Sequence, residues 1–386
     1  MVCRICDSQN TKIVLNFGQQ PIVHHLVRDK SEKFNTFELS ISVCNNCSFL
    51  FLTNPINQNI LYKNYLTFSS WKNQDHAKKI IDHIWYVFGD DFEIPILEIG
   101  SNDGSFLEVL SNSGYKNLTG VEPSEDVFNI SKSKKFNVFN NFFSKNIAPF
   151  NNLKKKFKTI ITRHVLEHVE DLNSFLSDIN FVLDDNGILV VEIPDFDGWL
   201  ENLDYSLWEE HINCFTLDVI KYLFRKHGFA IYHYEKFLFS GRSMTIYAKK
   251  DQNTVNSYLT NIDQFKLKKY VDSFVILKDR INEYLSNFDD VSIYGCGGRS
   301  SVLANIFDLK IKRFIDDQPE KQNNFTPGKK TPIVKWDDSF KDGLIILGVL
   351  FENERKIIEK RQLELNKYFS ILPPSTNLPS FWRSLI

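Results

Sequence analysis

The sequence predicts an α/β fold in three parts: a small N-terminal four-cysteine zinc module, a central Rossmann-like domain and a second, C-terminal Rossmann-like domain. Three observations predict it. Two Cys-x-x-Cys pairs stand near the N-terminus, Cys3/Cys6 and Cys44/Cys47. From about residue 93 to 250, short apolar runs alternate with helical patterns, the signature of a mainly parallel, doubly wound sheet. The alternation resumes around a second Gly-rich turn, Gly295-Cys296-Gly297-Gly298. The expected divisions are residues 1–56, 57–250 (a helical lead-in plus the central domain) and 251–386.

The first module follows from its cysteines. In a reducing compartment such pairs are more often metal ligands than disulfides. A two-residue gap lets both thiolates of a pair face one ion, and two pairs complete a tetrahedral zinc site. Cys3, Cys6, Cys44 and Cys47 fill every position with sulfur, so the Zn2+ is expected to be structural. Strand-like stretches at 39–43 and 49–52 flank the second pair. With no ligand missing, His24-His25 reads as a polar loop after Gln20-Pro21. Cys214 and Cys296 stand alone and read as small packing residues.

Loose helical spacing of Tyr62, Tyr65, His76, Ile80, Ile81, Ile84 and Trp85 predicts a helical lead-in over 56–90. Apolar runs at 94–99, 118–121, 159–162 and 187–193 are the expected strands of the central sheet. Those at 290–294, 312–315 and 344–347 belong to the second unit.

Composition narrows the function. The 386 residues carry 46 Lys+Arg against 48 Asp+Glu, a net charge of −2, which argues against a nucleic-acid partner. Hydrophobic residues make up 42%, enough for ordinary cores. No apolar run reaches membrane-spanning length, and the first residues lack the apolar segment of a secretory signal. A cytoplasmic protein without a membrane partner, a monomer or homodimer, is the expectation.

The turn Glu98-Ile99-Gly100-Ser101-Asn102-Asp103-Gly104 follows a strand and opens a helix. In an open α/β sheet, ligands bind in this crevice. Glu122 closes the next strand, 22 residues after Gly100, where a carboxylate can accept from both ribose hydroxyls. The spacing is not G-x-G-x-x-G, which disfavours a nicotinamide oxidoreductase. An adenosine-containing ligand is expected.

These residues resemble a known family. The turn at 98–104 and Gly120-Val121-Glu122-Pro123 are similar to motifs I and II of class I S-adenosylmethionine-dependent methyltransferases, and Arg163-His164-Val165-Leu166-Glu167-His168-Val169 resembles the segment after their fourth strand. The order of parts, with Phe314-Ile315-Asp316-Asp317-Gln318-Pro319 near the end, resembles the zinc-containing C-methyltransferases of nucleotide-linked 4-keto-sugars. The resemblance implies S-adenosylmethionine held by Glu98, Gly100, Asn102, Asp103, Gly104, Glu122, Pro123 and His164. It also implies a nucleotide-diphosphate sugar as acceptor.

C–C bond formation beside a ketone needs a base to remove the acidified proton, and histidine titrates in the right range. Trp208-Glu209-Glu210-His211 is the densest cluster of suitable side chains. The resemblance places Glu210 and His211 at the sugar, with His211 as base. It aligns His168 with a family histidine and His164 with a position commonly Asn. His164 is expected either to donate to the enolate oxygen or to border the cofactor. Trp208 replaces a common Tyr and is expected under the sugar. If the segment is helical, Trp208 shares a face with His211. Arg242 is expected to pair with the diphosphate. Tyr65 and Ser69 are further sugar contacts, and Arg299 in the second turn is a further charge partner. Sugar O-methylation, and methylation of a non-sugar acceptor such as RNA, remain as alternatives.

Overall fold

The computed structural model describes residues 1–57, 61, 76–153, 155–251 and 262–386. Three sheets organise it. The first is antiparallel, in the order β1 (Thr11–Pro21), β2 (Thr36–Cys44), β3 (Leu50–Leu52) and β9 (Asn213–Cys214). Its last strand comes from the middle of the chain, pairing Leu50 with Cys214 and Phe51 with Asn213.

The central sheet has seven strands. From β4 (Ile96–Ile99) the chain steps outward to β5 (Leu118–Val121) and β6 (Asn137–Phe139). It then returns to β7 (Phe157–Arg163) and β8 (Leu183–Pro194) on the other side of β4. These five strands are parallel, and β10 (Phe229–Leu238) and β11 (Arg242–Lys250) close the edge as a hairpin, with β11 antiparallel to β8. All four residues of β4 are buried, as expected of a strand covered on both faces. Helix Ser105–Asn112 covers one face with Phe106, Leu107 and Leu110, and Leu172–Val182 covers the other. The direction reverses between β4 and β7, which opens a crevice at their carboxyl ends.

The third sheet repeats this logic with parallel strands in the order β14 (Ile333–Val334), β13 (Arg313–Ile315), β12 (Val291–Tyr294), β15 (Leu344–Leu347), β16 (Tyr368–Ser370). Its reversal lies between β12 and β15. Helix Gln264–Leu285 ties the sheets together: the Tyr270 hydroxyl donates to the Asp204 carbonyl at 2.7 Å, and the Tyr205 hydroxyl donates to the Tyr270 carbonyl at 2.5 Å.

Every expected strand is present. Within the expected helical lead-in, Ala77–Phe88 is a helix, while Tyr62 and Tyr65 lie outside the described residues. The cores cross the expected divisions. One apolar cluster joins Leu39 and Ile41 of β2, Trp199 and Leu203 of the central domain, and Leu303 of the C-terminal unit. No helix among the described residues is long and apolar enough to cross a membrane.

Candidate active site and zinc centre

The four sulfurs of Cys3, Cys6, Cys44 and Cys47 lie within 4.8 Å of one another. Cys3 Sγ stands 3.5 Å from Cys47 Sγ, and Cys6 Sγ 3.6 Å from Cys44 Sγ. Zn–S bonds of about 2.3 Å in a tetrahedron require S–S edges of roughly 3.8 Å, so the set fits zinc with little adjustment. All four positions are thiol, which leaves no opening for a substrate.

At the first crevice, Gly100 has φ +76°, and a Cβ there would stand 2.4 Å from Val165 Cγ2. Only glycine lets this turn run against the segment after β7. Glu122 Oε2 accepts from the Asn102 N–H at 2.9 Å and Oε1 accepts from the Ser124 N–H at 2.8 Å. Each oxygen keeps a lone pair for a ribose hydroxyl, so the residues present fit an adenosine-bearing cofactor. Burial pushes the Glu98 carboxyl up to about 8, with Arg163 opposing, so near pH 7 it carries a proton and can donate.

The crevice opens into a cavity of about 1130 Å³. Its wall includes Glu98, Gly100, Asn102, Asp103, Glu122 and Pro123 on the cofactor side. His164, His168, Trp208, Glu210 and His211 stand beyond them. The fold thus brings distant segments together at one cleft. Gly104 is not on the wall: it begins helix Ser105–Asn112 in the left-handed conformation, and a Cβ there would meet Ser131 Oγ at 2.5 Å.

The 208–211 segment is a turn, not a helix: the His211 N–H returns to the Trp208 carbonyl at 3.2 Å. The turn still stacks the rings, with centroids of Trp208 and His211 4.1 Å apart. His168 meets His211 edge-on at 5.1 Å, and its Nδ1 lies 2.7 Å from the Glu210 carbonyl, so it donates there. Burial, then the charges of His168, His164 and Arg299, hold His211 well below the ordinary imidazole range, so it is neutral at pH 7.

His164 differs from the expectation of a donor to substrate. Its Nδ1 lies 3.2 Å from Glu167 Oε1 and its Nε2 3.2 Å from Glu192 Oε1. Both ring nitrogens therefore face carboxylates. Burial opposes its charge, but these hydrogen bonds prevail and push it up to about 9, so it is an imidazolium at pH 7. Arg163 and His76 also reach Glu192 Oε1, each at 3.2 Å.

Two acids before His211 serve the N-terminal module. Glu209 Oε1 accepts from the Val23 N–H at 2.9 Å, and Glu210 Oε1 pairs with His24 Nε2 at 3.2 Å. His24, on the loop expected after Pro21, is thus also a wall residue of the cavity. Its only sequence signal was its neighbour in the His-His pair, because its partner lies 186 positions away.

The far end of the cavity is the second turn. Asp316 Oδ2 accepts from the Cys296 N–H at 2.9 Å and Oδ1 from the Gln318 N–H at 3.0 Å, the same strand-end arrangement as Glu122. Lys321 Nζ donates to the Cys296 carbonyl at 2.9 Å and lies 3.3 Å from Asp316 Oδ2. Sequence reasoning missed Lys321 as a cavity cation.

Two expected cations are placed differently. Arg242 is absent from the cavity wall: its Cδ packs against Gly198 of helix Phe196–Asn202, and its carbonyl accepts from the Asp195 N–H at 2.9 Å. Arg299 lines the cavity, but its Nη2 is committed to a buried pair with Asp204 and to the Pro373 carbonyl at 3.1 Å. Tyr65 and Ser69 lie outside the described residues.

Three family models match successive parts of the chain. A methyltransferase domain model matches residues 68–234, a zinc binding domain model 3–62 and a C-methyltransferase C-terminal domain model 241–366. The chain thus carries a methyltransferase domain between a zinc binding domain and a C-methyltransferase C-terminal domain. Among curated relatives, this methyltransferase is 23% identical over 261 residues to C-methyltransferase NovU of Streptomyces niveus, an alignment covering 64% of this chain and 60% of NovU. Solved structures that resemble it include magnesium protoporphyrin IX methyltransferase from Synechocystis PCC 6803 with bound S-adenosylmethionine. That match has 14% identity, 48% of this chain, 87% of the other and a TM-score of 0.35. Another is an S-adenosylmethionine-dependent methyltransferase from Archaeoglobus fulgidus, at 21% identity, 45% and 93% coverage and a TM-score of 0.37.

Proposed function

We propose that this methyltransferase transfers a methyl group to the carbon beside the ketone of a nucleotide-linked keto-sugar. One observation carries the reading: a single cavity runs from the Glu122 crevice, past His211, to the Asp316 turn. At about 1130 Å³ it exceeds the roughly 300–1,000 Å³ of an ordinary one-ligand pocket. Each end carries a strand-end carboxylate that holds turn amides, the arrangement suited to a ribose. A cofactor at one end and a nucleotide at the other leave the sugar between them, beside His168, Trp208 and His211. The match to a C-methyltransferase C-terminal domain and the likeness to NovU support carbon as the methylated atom.

The cofactor, when bound, supplies a methyl group on a positively charged sulfur. The other steps belong to the chain. Glu122 and the turn at Gly100 would hold the adenosine half, and Trp208 would floor the sugar. Neutral His211 takes the proton from the carbon beside the ketone. The C–H electron pair becomes the enolate, the nucleophile to which a bound cofactor would give its methyl group, the carbon–sulfur electron pair staying on the sulfur. Asp316 and Lys321 anchor the nucleotide end, and positioning both reactants in one cleft supplies much of the rate.

The test is transfer from carbon-13-methyl S-adenosylmethionine to uridine- and thymidine-diphosphate 4-keto-sugars, followed by NMR. The expected product carries a new C-methyl signal, lost in His211→Ala. A methoxy signal moves the chemistry to oxygen, and no transfer to any sugar overturns the acceptor class.

A further inference from the structure

The proton that reaches His211 arrives beside two cations: the His164 imidazolium and the Arg299 guanidinium both bear on the ring. His168 stands edge-on at 5.1 Å. An imidazolium formed there needs a negative partner. Two carboxylates qualify, and Glu210 is turned toward His24.

The other is Glu167, on the short 3-10 turn Leu166–His168 after β7. Its side chain is fully buried. Oε1 faces His164 Nδ1 at 3.2 Å, while Oε2 is buried without a hydrogen-bond partner among the described residues. A carboxylate oxygen of Glu167 and ring nitrogens of His168 and His211 all lie within 4.8 Å of one another. An unpaired carboxylate oxygen is costly to bury unless something else in its surroundings gains from it.

We infer that Glu167 is the positioning residue of the proton transfer, an ionised carboxylate that stabilises the imidazolium formed at His211. This rests on the reading of His211 as base. The proton moves from the substrate carbon to the His211 ring, and its electron pair stays on the enolate. The new positive charge then develops within reach of Glu167. His164, itself clamped by Glu192, donates to Glu167 Oε1 and fixes that carboxylate in place. His211 thereby gains basicity without being protonated at rest, the state a base requires.

The groups facing His211 fix the sign. His168, His164, Arg299 and His24 disfavour its protonated form, and Glu167 and Glu210 favour it. Removing the Glu167 charge makes His211 a weaker base whose neutral form persists to lower pH.

The test uses the full-length, zinc-loaded enzyme with S-adenosylhomocysteine, so that proton removal is separated from methyl transfer. Exchange of the hydrogen beside the ketone of thymidine- and uridine-diphosphate 4-keto-6-deoxyhexoses is followed in heavy water by NMR between pH 5 and 9. Glu167→Gln is expected to lower the plateau rate by about tenfold or more and to shift the acid limb down by about one pH unit. Glu167→Asp, which restores the charge, should recover part of both, and affinity for S-adenosylhomocysteine should be unchanged in both variants. A purely structural role would lower the rate without moving the acid limb. Exchange that depends on His211 but keeps its rate and pH profile in Glu167→Gln overturns this inference alone. Exchange that survives His211→Ala, or is absent from the wild type, overturns the base reading and this inference with it.

Discussion

His164 shows how a side chain's neighbours override its type. Held between Glu167 and Glu192, it has a folded-state value of about 9 against an ordinary 6.5. A group raised on folding stabilises the protein fully below its unfolded value and loses that contribution as pH rises through the folded value. The wild type should therefore lose stability relative to His164→Gln between about pH 6.5 and 9, measured as urea midpoints across that window. Equal slopes for the two proteins would show that His164 is not charged in the fold. Glu122 makes a simpler case. Replacing it with Ala removes the acceptors of the Asn102 and Ser124 amides and of the ribose, and should weaken S-adenosylmethionine binding by about 10- to 100-fold by calorimetry. At this scale the sequence was half legible. The order of Gly100, Glu122, His164, His168 and His211 could be read directly. That His164 spends both nitrogens on carboxylates could not, because Glu192 lies on the neighbouring strand, 28 positions away.

At the scale of elements, the strands were readable because buried strands announce themselves as apolar runs. The 208–211 segment was not, because a turn and one helical turn both bring residues three apart together. Strand β9 is the larger surprise. By pairing with β3 it fastens the segment just after His211 to the zinc module, and Arg4 adds a hydrogen bond to the Ile212 carbonyl at 2.8 Å. Two residues, Asn213 and Cys214, are too short a run to signal a strand. The zinc is thus mechanically close to the candidate base. Stripping it with a chelator, or replacing Cys47 with Ser, should lower the melting temperature by several degrees. It should also slow methyl transfer about tenfold or more, beyond the loss expected from unfolded protein alone. Zinc removal that leaves the transfer rate of the folded fraction unchanged would separate the module from catalysis.

The whole molecule repeats one device. Glu122 and Asp316 each close a strand, 22 and 21 residues after Gly100 and Gly295, and each accepts from one amide of its Gly-rich turn and from the amide two residues further on. Both turns were legible; that one cavity joins them was not, since nothing local encodes how two sheets face each other. His24 seals the joint: its ring lies where a Cβ on Gly298 would come within 2.9 Å, and its Nε2 reaches Glu210. If the second crevice holds the acceptor's nucleotide, Asp316→Asn should raise KM for the acceptor about tenfold and leave cofactor affinity unchanged, as steady-state kinetics and calorimetry would show. The central claim, methylation at carbon through proton removal by His211, is tested most directly by labelling the acceptor with deuterium beside the ketone and weighing the product by mass spectrometry. The account predicts a product that has gained one methyl group and lost one deuterium. A methylated product that keeps every deuterium would contradict it.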